Sequence, residues 1–405
     1  MKNNITPVVS FHHYTDPVWF LKKGGFEKED NIRYFKKFCK RVFAHILKEA
    51  VKDKTILTSF DAIYPRFPIW ISFNSPDGYA FRGYFAQGGP PSKVKSLKMV
   101  ATVLKNMLEA HVRIYYALKE KFQKLQNRYA LPNFLYPRIG LIKNIHQYDP
   151  PQFTSVQRYL KPLNNFALGF ADQVQNDAFY NFFIKGVFWV QIPFDIVSKV
   201  MKLVDKAGLL VKKDLHIADK VAELAVNLKY TNKKAIGAMD ILFLSYYCNR
   251  YQFFSKQLPV TNRVLTTQSD YYHYPVGLYR AIVELYKRFV IPFEKTCNKK
   301  LPVIVGENGI ATNNSLKRAR FYHEYLYALM RAVKDGYPIF GYLPWSLMDN
   351  YEWPTGKEKD NRNYGIFFVS QDGKGLQLKN GAGPLKKMGN FLKKAGESSM
   401  RELLK

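Results

Sequence analysis

The sequence predicts an α/β fold in which a parallel sheet is wound from repeated βα units, six strands of an eight-stranded (β/α)8 barrel. Two observations predict it. Short runs rich in β-branched and aromatic residues recur along the 405 residues, and the long segments between them carry apolar residues at helical spacing. The composition, 47% hydrophobic and 23% charged, is that of an ordinary globular protein long enough to bury a large core.

Strands are expected at Pro7–Phe11, Ile69–Phe73, Ile139–Lys143, Ile241–Tyr246, Val303–Gly306 and Ile339–Leu343. That is two short of closure. After the first run, Ile32, Phe35, Cys39, Val42, Phe43 and Ile46 repeat every three or four residues, as do Val103, Met107, Ala110, Ile114 and Leu118 after the second. Val276–Val290 and Arg320–Val333 repeat the pattern. Such stripes are core faces packing on a sheet rather than a cofactor box. Lys52–Pro68 and Tyr148–Asn181 exceed ordinary connections and are expected to be surface excursions; Thr55–Phe60 in the former is the one strand-like stretch available to patch an open sheet. No GxGxxG or P-loop occurs, which argues against a nucleotide cofactor.

The net charge of +30 raises the question of polyanionic partners. The lysines are scattered over solvated helix faces without a long basic run, so nucleic acid is not the expected partner. Any such binding is expected to be weak, blind to sequence and lost as salt rises. Cys39, Cys248 and Cys297 lie far apart with no CxxC, indicating neither a disulfide framework nor a metal site. The first residues lack a signal-like apolar region, and the most apolar stretch, Tyr180–Phe194, is too short to span a bilayer and contains Lys185. A cytoplasmic protein without membrane or cofactor is expected.

Chemistry concentrates in two places. Pro302-Val-Ile-Val-Gly-Glu307-Asn-Gly is an apolar strand ending in a carboxylate, the end at which barrel enzymes place catalytic groups. In Trp345-Ser-Leu-Met-Asp349-Asn-Tyr-Glu352-Trp353, two of the chain's five tryptophans bracket two acids. Aromatic faces stack on sugar rings while carboxylates accept from hydroxyls, so this reads as a sugar-lined cleft.

Together these stretches resemble the family 1 glycoside hydrolases, with their Thr-Glu-Asn-Gly and Trp-Ser-Leu-x-Asp-Asn-x-Glu-Trp motifs. Phe11-His-His13-Tyr-Thr-Asp-Pro17 resembles the family's third strand, Trp70-Ile-Ser-Phe-Asn74-Ser75-Pro76 its Trp-Ile-Thr-Phe-Asn-Glu-Pro, and Asp240-Ile-Leu-Phe-Leu-Ser245-Tyr246-Tyr247 its Asp-Phe-Ile-Gly-x-Asn-Tyr-Tyr. Tyr274-Pro-Val-Gly-Leu resembles its Tyr-Pro-Glu-Gly-Leu.

The resemblance implies a single glycosidase (TIM) barrel domain over residues 1–405, a small β-glycoside or oligosaccharide as ligand, and retaining hydrolysis. Glu307 would be the nucleophile and Tyr247 its hydrogen-bonding neighbour. Asn74 would contact the 2-hydroxyl, His13 and Glu352 other hydroxyls, and Trp345 would form the floor under the ring, with Trp353 nearby. His12 would face away. Glu352 stands where 6-phosphoglycosidases carry Ser, and its charge would repel a phosphate.

Three departures accompany the match. Ser75 occupies the acid/base position, where its hydroxyl is not a competent general acid. Ser245 and Gly306 replace the family's Asn and Thr. The family's first two strands, with a glycone-binding Gln and an Arg beside the nucleophile, have no counterpart, leaving sheet edges that a second chain or oligomer could cover. An impaired glycosidase confined to good leaving groups is therefore expected, with an inactive sugar-binding barrel as the alternative.

Overall fold

The computed structural model describes residues 6–52, 68–131 apart from 86–88 and 94–95, 133–149 apart from 146, 171–193, 225–257 apart from 248–249 and 254–255, 273–349, 363–369 and 376–380, with isolated positions beside these. Its centre is a six-stranded sheet of β1 (Val8–Ser10), β2 (Ile69–Asn74), β3 (Ile139–Asn144), β6 (Ile241–Ser245), β7 (Val303–Asn308) and β8 (Tyr342–Pro344). These are the six strands expected from the sequence, in sequence order and parallel throughout, with Val8 beside Ile69, Trp70 beside Ile139, Gly140 beside Ile241, Leu242 beside Val303 and Val305 beside Tyr342. Sheet and helices together form an incomplete (β/α)8 barrel.

Alternation along the strands explains why both faces are dry. Ile71, Ile142, Ile241 and Phe243, with Ile69 and Ile304 against them, make an inner cluster. Trp70, Leu141, Leu242, Leu244, Val303 and Val305 point the other way into the main core beneath the helices. Parallel strands covered on both sides read as near-continuous apolar runs, which is how they were legible. The outer strands differ: Val8 of β1 is 37% exposed and Leu343 of β8 is 41% exposed. Thr55–Phe60, the stretch expected to patch the sheet, lies outside the described residues.

The inner cluster accounts for Gly306. A Cβ there would lie 2.9 Å from Cβ of Phe243, so the two positions share one volume. In the motifs quoted above the family has Gly at 243 and Thr at 306; this chain has the large residue on β6 and the small one on β7. The exchange keeps the interior filled without overpacking it.

Helices α1 (Ile32–Lys52), α3 (Leu97–Tyr129), α5 (Pro275–Leu285) and α6 (Ser315–Lys334) cover the outer face. On α3, Val103, Met107, Ala110, Ile114 and Leu118 are all fully buried as their spacing demands. Ser96 caps its start by accepting from the Met99 amide at 3.3 Å, and Ala130 ends it in the left-handed region. On α1, Val42 and Ile46 sit at the margin of the stripe while Leu47 takes the buried place.

One ribbon was not foreseen. The apolar run Tyr180–Phe194 divides at Gly186, φ +70°, into α4 (Ala178–Lys185) and β4 (Val187–Ile192), which pairs antiparallel with β5 (Val226–Thr231). The high hydrophobicity on both sides of the glycine hides the change of period there. Among the described residues, no helix is long and apolar enough to cross a membrane.

Candidate active site

The candidate site lies at the C-terminal rim of the sheet, where β2, β6, β7 and β8 end. β7 runs two residues past the expected Gly306 and includes Glu307 and Asn308. A register shift between Val305 and Glu307 sets the Glu307 side chain beside Ser245 of β6. Glu307 is 9% exposed. Its Oε2 accepts from the Tyr247 hydroxyl at 3.1 Å and the Ser245 hydroxyl at 3.3 Å, and its Oε1 accepts from the Asn74 amide. Three donors, Asn74 at the end of β2, Ser245 at the end of β6 and Tyr247 just beyond it, hold both carboxylate oxygens.

Asn74 reaches this position through the irregularity of β2, whose register shifts between Ile71 and Asn74. Its amide also donates to His13 Nε2 at 3.1 Å, which requires that nitrogen to be unprotonated. Burial lowers the His13 pKa, the Glu307 carboxylate draws it back up, and His12 lowers it further. The His13 ring meets Trp345 edge-on, centroids 5.5 Å apart.

Trp345 is held in turn by Asn308: its amide donates to the Asn308 carbonyl at 3.0 Å. The Asn308 side chain donates to the Tyr246 carbonyl and accepts from the Tyr342 hydroxyl, both at 2.7 Å, tying β6, β7 and β8 together. Gly309 permits this approach, since a Cβ there would lie 1.9 Å from the Trp345 carbonyl oxygen. The peptide between Trp345 and Ser346 is cis.

The sequence-derived residues His13, Asn74, Tyr247, Glu307 and Trp345 are thus brought to one place. Ser245, which stands where the family has Asn, donates a hydrogen bond to Glu307. Glu352 and Trp353 lie outside the described residues. Asp349, grouped with them as a sugar-facing acid, has another engagement: its carboxylate accepts from the Gly365 amide and from buried Lys379. His12 does face away, its Nε2 3.2 Å from Asp16 and its ring edge-on to Phe26, Phe35, Phe73 and Tyr79.

Ser75 follows Asn74 with left-handed backbone, φ 43°, and is buried. Its amide donates to the Ile142 carbonyl at 2.9 Å, binding the turn to β3. It precedes α2 (Pro76–Tyr84) without capping it by its side chain. Asp77, the nearest acid in sequence, is turned away: Lys143 of β3 donates to its carboxylate at 2.9 Å, and both side chains are almost wholly buried.

Glycosyl hydrolase family 1 is the family whose profile matches, over residues 1–388. A 6-phospho-β-galactosidase of Clostridium acetobutylicum is 24% identical over 401 residues, spanning 91% of this chain and 72% of that protein. β-Glucosidase A of Acetivibrio thermocellus is 22% identical over 92% of this chain and 71% of its own length. The solved β-glycosidase of Pyrococcus horikoshii superposes with a TM-score of 0.63 at 23% identity, covering 93% of this chain and 70% of that one. With its barrel strands in order and its rim residues gathered around Glu307, the chain belongs to glycosyl hydrolase family 1.

Proposed function

We propose that the chain is a retaining β-glycosidase confined to good leaving groups. The observation that carries this reading is the Glu307 carboxylate, held by Asn74, Tyr247 and Ser245 at the strand ends. A carboxylate so fixed is oriented for attack on an anomeric carbon. Glu307 bonds to that carbon, the aglycone oxygen departs with its electron pair, and water later releases the sugar from the glycosyl ester.

His13 and Asn74, with Glu352 from the adjoining motif, orient the ring hydroxyls, and Trp345 and Trp353 supply apolar faces. Glu352 would repel a phosphate, which argues for an unphosphorylated sugar. No carboxylate stands at position 75, and a serine hydroxyl cannot protonate a leaving group near neutral pH. General acid–base assistance is worth about 10²–10⁴-fold, so ordinary alkyl glycosides should turn over slowly. A cytoplasmic location fits the sequence. An inactive sugar-binding barrel is the second reading, and the same observation at Ser75 favours it.

A fluorosugar with a dinitrophenolate leaving group needs no acid. Mass spectrometry should find a covalent adduct on Glu307 and none in Glu307→Gln. Azide, which needs no general base, should accelerate turnover of activated aryl glycosides, and Ser75→Glu should raise activity on ordinary ones. A folded protein showing no adduct, no azide effect and no rescue would leave the sugar-binding reading in place.

A further inference from the structure

Tyr14 follows His13 with left-handed backbone, φ 63°, and is 8% exposed. Its phenol lies against the first turn of α2, where the chain has Gly78. A Cβ at Gly78 would lie 2.2 Å from the Tyr14 hydroxyl oxygen and 3.5 Å from the Ser75 Cβ. Glycine there leaves room for the phenol, which shares a hydrogen bond with the Ser75 side chain and feels the charges of Arg82, Asp77 and Glu307. A hydroxyl of greater reach than serine's therefore stands at Ser75, within the field of the carboxylate that would attack.

We propose that Tyr14, backed by Ser75, is a catalytic residue that donates a hydrogen bond to the departing aglycone oxygen, selecting aglycones that leave as stable anions. This rests on the reading of Glu307 as nucleophile. Glu307 forms its bond to the anomeric carbon as the bond to the aglycone oxygen breaks. The electron pair stays on that oxygen, which leaves as an anion accepting from Tyr14, and no proton changes hands.

Burial drives the Tyr14 hydroxyl well above the ordinary phenol range; Arg82 and the Ser75 bond oppose the rise, and Asp77 and Glu307 add to it. The proton accordingly stays on the tyrosine. In the second half water attacks the anomeric carbon, Glu307 departs with its electron pair, and the water's proton passes to solvent. The substrate class is glycosides of acidic phenols and glycosyl esters of carboxylic acids, whose leaving groups are stable as anions near neutral pH.

The test is a series of aryl β-glucosides and β-galactosides graded by phenol acidity, compared in wild type and Tyr14→Phe. Loss of one preorganised donor costs on the order of 10²–10³-fold where charge develops. Poorer leaving groups should therefore suffer most, dinitrophenolate least, and the leaving-group plot should steepen. Gly78→Ala, which displaces the phenol, should steepen it likewise. An equal loss across the series, or none, in a Tyr14→Phe protein that melts like wild type would overturn the proposal. Absence of any Glu307 adduct in wild type would instead remove the nucleophile reading, and this inference with it.

Discussion

His111, on the sheet-facing side of α3, is completely enclosed, and both its ring nitrogens are engaged. Nε2 donates to the Ala238 carbonyl at 2.7 Å, leaving Nδ1 to accept from the Ser72 hydroxyl at 2.6 Å. A proton on Nδ1 would have to displace the serine's hydrogen in a fully buried site. Burial lowers the pKa from 6.5 to about 4; the Ala238 bond and Asp240 oppose the shift, and Lys299 adds to it. Because the folded-state value is depressed, the unfolded chain binds the proton first as pH falls. Stability from this group is complete above the unfolded value of 6.5 and declines toward the folded value of about 4. The full effect is about 3 kcal/mol, a bound set by two and a half pKa units. Denaturant midpoints measured between about pH 7 and about pH 4.5 should fall steeply in wild type and less so in His111→Gln. Equal slopes would mean that other groups carry the acid sensitivity.

β3 and α2 are joined by the buried pair of Lys143 and Asp77. Burial lowers the Lys143 pKa and Asp77 raises it again, so neither charge is tolerable without the other. Lys143→Met should cost about 3–5 kcal/mol by stranding the carboxylate, whereas Lys143→Met with Asp77→Leu should recover much of the loss. A double variant no more stable than the single one would show that the two charges are not coupled. No sequence rule pointed to this pair, since the two residues lie in different elements and meet only because the Asn74–Ser75 turn folds against Ile142. The same holds for Tyr14 and Gly78. What periodicity made legible is the six strands, the buried stripe of α3 and the carboxylate of Glu307 at a strand end; His13, Asn74 and Tyr247 were legible only through the likeness of their motifs to those of family 1. The β4–β5 ribbon was illegible because one glycine changes the period inside a mostly apolar run. The Phe243 and Gly306 exchange shows the same limit, for Gly306 stands as an isolated departure until the volume it shares with Phe243 is seen.

At the scale of the whole molecule, each strand of the central sheet pairs with the sheet strand that precedes it in the chain. Such a sheet can be extended in one direction as the polypeptide leaves the ribosome, with every newly arrived strand finding its neighbour already present. The growth is uneven. β1, β2 and β3 are complete by Asn144, but the strand that pairs with β3 does not begin until Ile241. During that interval the Ile139–Asn144 edge, fully covered in the finished fold, has no lasting partner, and pairing across so long a separation is slow. Refolding followed by pulse-labelling should show amides of β2, α1 and α3 protected before those of β6 and β7; simultaneous protection would exclude a staged assembly. Ile142 would then be the residue most in need of temporary cover. A nascent chain halted between Asn144 and Ile241 therefore presents a naked β edge to its neighbours on the same messenger, and translation speed through that interval becomes a determinant of how much protein reaches the native state.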